Sequence, residues 1–253
     1  ASGAKLFGRK ANVALSGNFG ELKLGKDIDQ IFLQGFIDNV RNSHSSSGFI
    51  AHTVGAAAGT IATDSVFIQN MVRYTTPTVS GFKASVQYRF GESTNGASYG
   101  NSTSFLGNYS NAGLSLSVGT KQANDVTGAN QDTELTYVGA TYQIGAVRLS
   151  ATNWQTKFKG TATAKLKTQE YGVGYAVSPK LTAAVNYVEN KQAAAKGDIT
   201  SASLKYALSK RTNVWTLVSR TNNNATGAIF GGQYSSSVAG DGTATSVGIT
   251  HSF

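Results

Sequence analysis

Hydrophobic and polar residues alternate along most of this chain in segments of roughly ten residues. In the clearest segment, GFKASVQYRF, one set comprises Phe82, Ala84, Val86, Tyr88 and Phe90, and the other comprises Lys83, Ser85, Gln87 and Arg89. Because successive side chains of a strand point to opposite faces, this pattern predicts a strand with one apolar and one polar face. KANVALS, GLSLSVGTK, QEYGVGYAV, KLTAAVNYV, SASLKYALS and the final SVGITHSF alternate in the same way. The chain is therefore predicted to be all-β, with about thirteen antiparallel strands.

Short turns and long links alternate between these segments. The tight connections are SGNFG, TPTVSGF, SNAG, YQIGA, SPK and LSKR. The links between them are long and polar, at about residues 27–65, 91–103, 122–133, 158–168, 190–199 and 222–244. Transmembrane β-barrels sort their loops in this way, with short turns on the periplasmic side and long loops outside. The connections thus favour a transmembrane antiparallel β-barrel.

Composition separates this barrel from its alternatives. No run of 18 apolar residues occurs, so no membrane-spanning helix is predicted, and a closed barrel is the other way to cross a bilayer. A soluble sheet also alternates and remains the alternative. Two details favour the membrane barrel: the polar face carries mainly Gly, Ser, Thr, Lys and Arg, and Tyr and Phe recur near segment ends on the apolar face. Such aromatic residues form the girdles of barrels at the two membrane interfaces.

The strand count indicates that a larger barrel is incomplete here. Bacterial single-chain barrels have even strand numbers and both termini at the periplasmic edge. The first segment is followed by a short turn, so its start lies at the external edge. We therefore expect a sixteen-stranded design whose N-terminal strands are absent, with residues 1–253 forming a single barrel domain.

Positive charge concentrates on the polar face. The chain has 22 Lys and Arg against 13 Asp and Glu, a formal net charge of +9. The alternation places eight cations inside the barrel, namely Lys10, Lys23, Arg73, Lys83, Arg89, Lys121, Arg148 and Lys205, against Glu21 and Glu170. Rings of Lys or Arg favour anions in narrow pores, so the sequence predicts an anion preference, set mainly by Lys10, Lys23, Arg73 and Arg89. The alternative for each residue is that it hydrates the wall or pairs with a loop carboxylate.

The long link at about 27–65 is predicted to fold inward. Its stretch IFLQGFIDNV has apolar residues at near-helical spacing, which predicts a short helix packed on the wall. The carboxylates expected opposite the basic wall, creating a field across the passage, are Asp27, Asp29, Asp38 and Asp64. The alternative is that Asp27 and Asp29 only cap or turn the chain.

Several stretches together resemble a known family. LFGRKANVALSGNFGELKLGKD, NMVRYTTPTVSGFKASVQYRFGE, YALSKRTNVW and GITHSF are similar, in this order, to the general trimeric porins of Gram-negative β-proteobacteria, especially the anion-selective members. The resemblance implies a sixteen-stranded homotrimeric channel for small anionic solutes, integral to the outer membrane and in contact with its lipid and lipopolysaccharide. It also implies that the third external loop narrows the pore, and that Phe253 is part of the signal for membrane insertion.

The chain departs from the family at the narrowest point of the pore. The anion-selective members carry a cluster of arginines there; one position matches Lys10 and another matches Phe67, which we assign to the constriction loop. Lysine lacks the planar fork of arginine, and Phe67 removes a charge. We therefore expect a weaker anion preference than in the strongest members.

Two other classes of function remain as alternatives. An enzyme would need a base from His44, His52 or His251, and no G-x-S-x-G or H-E-x-x-H motif is present. A soluble basic β-rich binding module or adhesin, or a nucleic-acid binder, would interleave bases and aromatics on one face, whereas here the aromatics take the face opposite to the bases. With no cysteine and three scattered histidines, no metal site or cofactor is expected.

Overall fold

A computed structural model describes residues 8–40, 66–92, 96, 99–124, 132–159, 165–223 and 241–252. These residues form one antiparallel sheet of thirteen strands, ordered as in the sequence, and one helix. The strands are β1 (Ala11–Gly17), β2 (Gly20–Ile28), β3 (Phe67–Thr75), β4 (Phe82–Arg89), β5 (Ser102–Asn111), β6 (Leu114–Ala123), β7 (Thr133–Ile144), β8 (Val147–Phe158), β9 (Leu166–Ala176), β10 (Leu181–Gln192), β11 (Ala195–Ala207), β12 (Thr212–Asn223) and β13 (Gly242–His251). Helix α1 (Gln30–Ile37) follows β2. The predicted number of antiparallel strands is confirmed.

The six short turns lie at one edge of the sheet, which we call the short-turn edge. They join β1 to β2, β3 to β4, β5 to β6, β7 to β8, β9 to β10 and β11 to β12. Directly after the first of these turns, Gly20 at the start of β2 has φ 107°, and a Cβ there would collide with the carbonyl oxygen of Thr75. Glycine is required at this position because other residues rarely adopt such a φ.

At the opposite, far edge, one predicted long link is wrong. Strand β10 continues to Gln192, and β11 begins at Ala195. The two strands are paired residue by residue, and only Ala193 and Ala194 connect them. The polar side chains of this hairpin gave no alternation of hydrophobicity, although its backbone is a regular ladder. The sequence pattern follows burial of side chains rather than hydrogen bonding of the backbone.

The two faces of the sheet differ in what they carry. We call the face that α1 contacts the inner face and the other the outer face. Valines, leucines and aromatic residues project from the outer face, and Val13 and Val247 are 74% and 78% exposed. Ser, Thr and Asn dominate the inner face, where Ser104, Thr152 and Asn186 are examples. An apolar surface of this extent requires a hydrocarbon or protein neighbour, whereas the inner face suits water.

Aromatic residues recur near the short-turn edge of the outer face. Phe82 on β4 packs against Tyr109 on β5 with ring centroids 4.5 Å apart. Tyr142, Tyr175 and Tyr206 hold similar positions near the ends of β7, β9 and β11. Rings with one polar end favour the level at which membrane and water meet. Among the residues that the structure describes, no helix is both long and apolar enough to cross a membrane.

Candidate functional site

Helix α1 begins at a side-chain cap. Asp29 accepts hydrogen bonds from the backbone N–H groups of Ile31 at 3.0 Å and Phe32 at 2.9 Å. An Asp in this position satisfies N–H groups that have no partner within the helix. The predicted short helix is confirmed, and so is the alternative that Asp29 caps the chain.

The apolar side of α1 packs on the inner face. Ile31 and Phe32 form a buried cluster with Leu135, Tyr137 and Trp154 of β7 and β8. The alternation of β7 and β8 did not reveal this patch, because large apolar residues occupy inner positions there. The signal that was available is the pair of helix residues, which require an apolar partner on the wall.

Glycines on the inner face make room for α1 and the residues after it. A Cβ at Gly139 would collide with Asp38 and Tyr137, and a Cβ at Gly172 would collide with Val40. The segment can approach the backbone of the wall only because these positions lack side chains. Gly139 and Gly172 therefore set how close the helix and Val40 lie to the strands.

Two of the predicted inner cations hold the ends of α1. Lys121 donates to Asp29 at 3.1 Å, and both side chains are buried. Arg148 donates to the backbone oxygen of Ile37 at 2.8 Å, where the helix dipole favours a cation. For Lys121 the alternative, pairing with a loop carboxylate, is confirmed.

A second group of cations surrounds Asp27, and we call Lys10, Lys23 and Arg73 the basic cluster. The distances to the carboxylate oxygens of Asp27 are 2.6 Å from Arg73, 3.2 Å from Lys23 and 3.4 Å from Lys10. Lys23 and Arg73 are direct cross-strand partners, so their repulsion requires an anion between them. Glu21 lies 3.3 Å from Lys23, and the five groups together keep a net positive charge.

These ion pairs correct the predicted field across the passage. Asp27 belongs to β2, not to the link, and it contacts the basic cluster rather than facing it. Asp29 contacts Lys121. Asp38 is fully buried and accepts hydrogen bonds from Tyr137 and Gln34. Asp64 lies outside the described residues, and the link between β2 and β3 runs over 29–66, within two residues of the predicted bounds of about 27–65.

Phe67 is the first residue of β3 and does not belong to the constriction loop, which corrects the prediction. It lies beside a cation that the sequence did not single out. The guanidinium carbon of Arg9 lies 5.2 Å from the centroid of the Phe67 ring, a cation–π contact. Phe67 stands where the family has an arginine, and the neighbouring Arg9 brings a positive charge to the same place. No spacing rule connects two residues 58 positions apart, so sequence reasoning had no signal for this pair.

The remaining predicted cations are spread over the inner face. Arg89 shares the face of the buried Gln87, and Lys205 shares that of Ser201 and Ser203. Lys83 reaches a cleft beside α1. Glu170 is buried on β9. All eight cations therefore hold inner-face positions, and their role in ion selectivity stays a prediction.

Some basic residues lie on the outer face, together with aromatic residues. This corrects the expectation that basic and aromatic residues occupy opposite faces. We use the name external charged patch for Lys157, Lys167, Glu189, Lys191 and Lys196, which occupy outer-face positions near the far edge of β8 to β11. The carboxylate of Glu189 forms ion pairs with Lys191 at 2.7 Å and with Lys196 at 2.6 Å. On the neighbouring strands, Tyr171 and Tyr187 are the next outer-face aromatic residues toward the short-turn edge. The apolar band of the outer face ends there.

Comparison with known proteins agrees with this arrangement. A family model described as Gram-negative porin matches residues 1–226. The chain belongs to the Gram-negative porin family. Outer membrane porin protein 32 of Delftia acidovorans is 31% identical over 268 aligned residues, covering 98% of this chain and 74% of that protein. The protein is accordingly an integral protein of the Gram-negative outer membrane and forms a channel.

Solved porin structures share the fold. The anion-selective porin from Comamonas acidovorans matches with a TM-score of 0.86 and 27% identity, over 98% of this chain and 78% of that one. Salmonella typhi OmpF in complex with daunomycin matches with a TM-score of 0.72 and 18% identity, over 96% and 77%. The trimer form of OmpT of Vibrio cholerae matches with a TM-score of 0.68 and 13% identity, over 96% and 80%. The thirteen strands are therefore the wall of a porin barrel.

Besides Asp64, two further groups of predicted residues lie outside the described residues. Phe253 is one, so its part in membrane insertion stays a prediction. His44 and His52 form the other. His251 is described: it lies on the outer face, and its Nδ1 is 2.9 Å from the hydroxyl of Thr212.

Proposed function

We propose that this porin passes small hydrophilic solutes by diffusion and prefers anions. The observation that carries the proposal is the basic cluster, in which three cations share the carboxylate of Asp27 at one end of α1. Asp27 and the neighbouring Glu21 together neutralise two of the three cations, so a net positive charge remains at the wall. In a passage with walls of low dielectric constant, such a charge raises the local concentration of anions.

Helix α1 and the link that contains it narrow the passage in this proposal. The support is that α1 lies on the inner face, held by a buried apolar cluster and by ion or hydrogen bonds at both ends. A segment fixed to the wall in this way reduces the open cross-section beside the basic cluster. Ions must then pass close to Lys10, the most exposed member of the cluster.

The test is the zero-current potential of the purified protein in a planar bilayer separating two KCl concentrations. If the channel prefers anions, chloride diffuses from the concentrated to the dilute side faster than potassium does. The dilute side then becomes negative relative to the concentrated side. A potential of the opposite sign would reject the proposal. The same potential at high salt should be smaller, because counter-ions screen the wall charge.

We also propose a homotrimer as the working form, supported by the trimer form of the structural relative OmpT. Mass measurement in detergent by light scattering should give three chains per particle. One chain per particle under conditions that preserve channel activity would contradict it.

For the external charged patch, the partner that we propose is the phosphate-bearing head group of lipopolysaccharide. Lys191 and Lys196 are exposed, and both lie at the level where the apolar band of the outer face ends. Exposed lysines at this level attract anionic lipid. Glu189 fixes their positions by pairing with both.

The double substitution Lys191→Gln/Lys196→Gln should lower the lipopolysaccharide that copurifies with the protein. The reason is that two of the four lysines of the patch lose their charge. Lys180→Gln, at the short-turn edge, is the matched control and should leave the ratio unchanged. Equal ratios in wild type and the double variant would rule out this patch as the binding surface.

A catalytic role is not part of the proposal. The family consists of channels, and we propose that solutes cross this one unchanged. Release of product from ester, phosphate or glycan substrates by the purified protein, lost together with the folded barrel, would contradict it.

A further inference from the structure

A polar cleft of about 210 Å³ lies between the C-terminal half of α1 and the short-turn edge of the inner face. Two cations line it, Lys83 at the start of β4 and Arg148 at the start of β8. The basic cluster lies near the other end of α1, around Asp27 at the far end of β2. An eight-residue helix is about 12 Å long, so the two groups of cations are successive along the passage.

The two cations present different chemistry to this cleft. Arg148 uses one N–H group on the backbone oxygen of Ile37, and its guanidinium has five N–H donors in a planar fork. Lys83, on β4, is exposed and brings a point charge on a flexible side chain to the same cleft. A fork and a point charge facing one space fit an anion with several oxygen atoms better than a spherical ion.

Neutral hydrogen-bonding groups complete the lining. The hydroxyls of Ser110 and Ser115 are 3.0 Å apart, and the hydroxyl of Thr141 lies on the adjoining strand. A hydroxyl can turn to donate to an incoming oxygen. Asp38 also lines the cleft, but it is fully buried, and its two oxygens accept hydrogen bonds from Tyr137 and Gln34. One oxygen of Asp38 is thus engaged by the wall and the other by α1, which leaves Lys83 and Arg148 as the solvent-accessible charges of the lining.

We propose that Lys83 and Arg148 form a binding site for a small oxyanion, of the sulfate, phosphate or carboxylate class, between α1 and the short-turn edge. The inference rests on the proposed function, since it adds a second anion station to an anion-preferring passage. An ion leaving the basic cluster would be received here before it reaches the periplasm. Sites in series speed passage when each binds an ion weakly enough to release it.

The experiment measures block of chloride current by sulfate in planar bilayers, with the full native chain. Sulfate added on the periplasmic side should reduce the wild-type chloride current in a saturable way. Lys83→Gln/Arg148→Gln should require a roughly tenfold higher sulfate concentration for half block, because charge-assisted hydrogen bonds to the ion are lost. Arg148→Lys, which keeps the charge but not the fork, should fall between the two.

The matched control is Lys210→Gln, a cation at the same edge that does not line the cleft. Its chloride current should be half blocked at the same sulfate concentration as that of the wild type. Half block at the same sulfate concentration in wild type and the double variant, or an equal shift in the control, would overturn the site. The zero-current potential in KCl is recorded for the same channels. A wild type that prefers cations refutes the proposed function, whereas an anion-preferring wild type with unaltered sulfate block in the double variant refutes this site alone.

Discussion

Lys10 is the member of the basic cluster most available to a passing ion. Its side chain is 57% exposed, compared with 19% for Lys23 and 8% for Arg73. Arg73 also donates to the backbone oxygen of Ile28 and to Gln87. Arg73 and Lys23 therefore hold Asp27 and the strands together, while Lys10 presents charge to the water in the passage.

Lys10→Glu should reduce the anion preference more than any other single reversal in the basic cluster. The change replaces an exposed positive charge by a negative one beside Asp27. At separations of several ångströms in water each unit charge changes the ion's energy by about one RT, and the reversal changes the charge by two units, so the anion-to-cation permeability ratio should fall roughly sevenfold or more. Zero-current potentials in a KCl gradient measure this ratio.

Lys180→Glu serves as the control for this reversal, because it makes the same charge change in the turn between β9 and β10. It should leave the ratio near the wild-type value. Equal losses in both variants would mean that net charge, and not the basic cluster, sets the preference.

Sequence alternation was enough to assign the eight inner cations to one face, because a strand has a period of two. It did not give their partners. Lys121 and Asp29 are 92 residues apart, and the path of the link after β2 decides that they meet. The sequence therefore did not distinguish a cation that fixes α1, such as Lys121, from a cation that is exposed to passing ions, such as Lys10.

Helix α1 depends on the wall for its existence. A helix of eight residues is marginal in water on its own, since nucleation is costly and few hydrogen bonds repay it. The Asp29 cap, the apolar cluster with Tyr137 and Trp154, and the contact of Arg148 supply the missing stabilisation. The apolar spacing predicted a helix, but its site on the wall is determined by inner-face glycines on strands that come later in the chain.

Gly172→Val should displace the segment that follows α1. The added side chain would overlap Val40, Asn186 and Ser150, and overpacking of this kind costs about 1–3 kcal/mol. We expect a lower midpoint of urea unfolding in lipid vesicles, followed by tryptophan fluorescence, and a changed single-channel conductance.

Gly242→Val is the matched control for Gly172→Val. Apart from its two chain neighbours, no atom of the residues that the structure describes lies within 4 Å of a Cβ built at Gly242, so the same substitution meets open space there. Its conductance should stay at the wild-type value. If Gly172→Val also kept wild-type conductance and unfolding midpoint, the segment would not be positioned by this glycine.

The whole molecule is defined by two faces with different surroundings. The predicted strands and their faces follow from alternation, and the family relationship agrees with them. The boundaries at the far edge did not follow, as the β10–β11 hairpin and the external charged patch illustrate. Beyond the apolar band both faces of a strand meet water, so hydrophobicity no longer marks where the strand continues.

Two neighbouring residues on β1 test this account most directly. Ala14 and Leu15 are both exposed on the surface of the chain, but they lie on the inner and the outer face. The chain has no cysteine, so Ala14→Cys and Leu15→Cys each provide a single reactive thiol. The measurement is the rate of modification by membrane-impermeant thiol reagents, one anionic and one cationic, in outer-membrane vesicles.

We predict that the thiol at position 14 reacts, and reacts faster with the anionic reagent, because a positively charged aqueous passage surrounds it. At position 15 the thiol should remain unmodified until detergent removes the lipid. Equal reaction at both positions before detergent, or reaction at position 15 alone, would contradict the account.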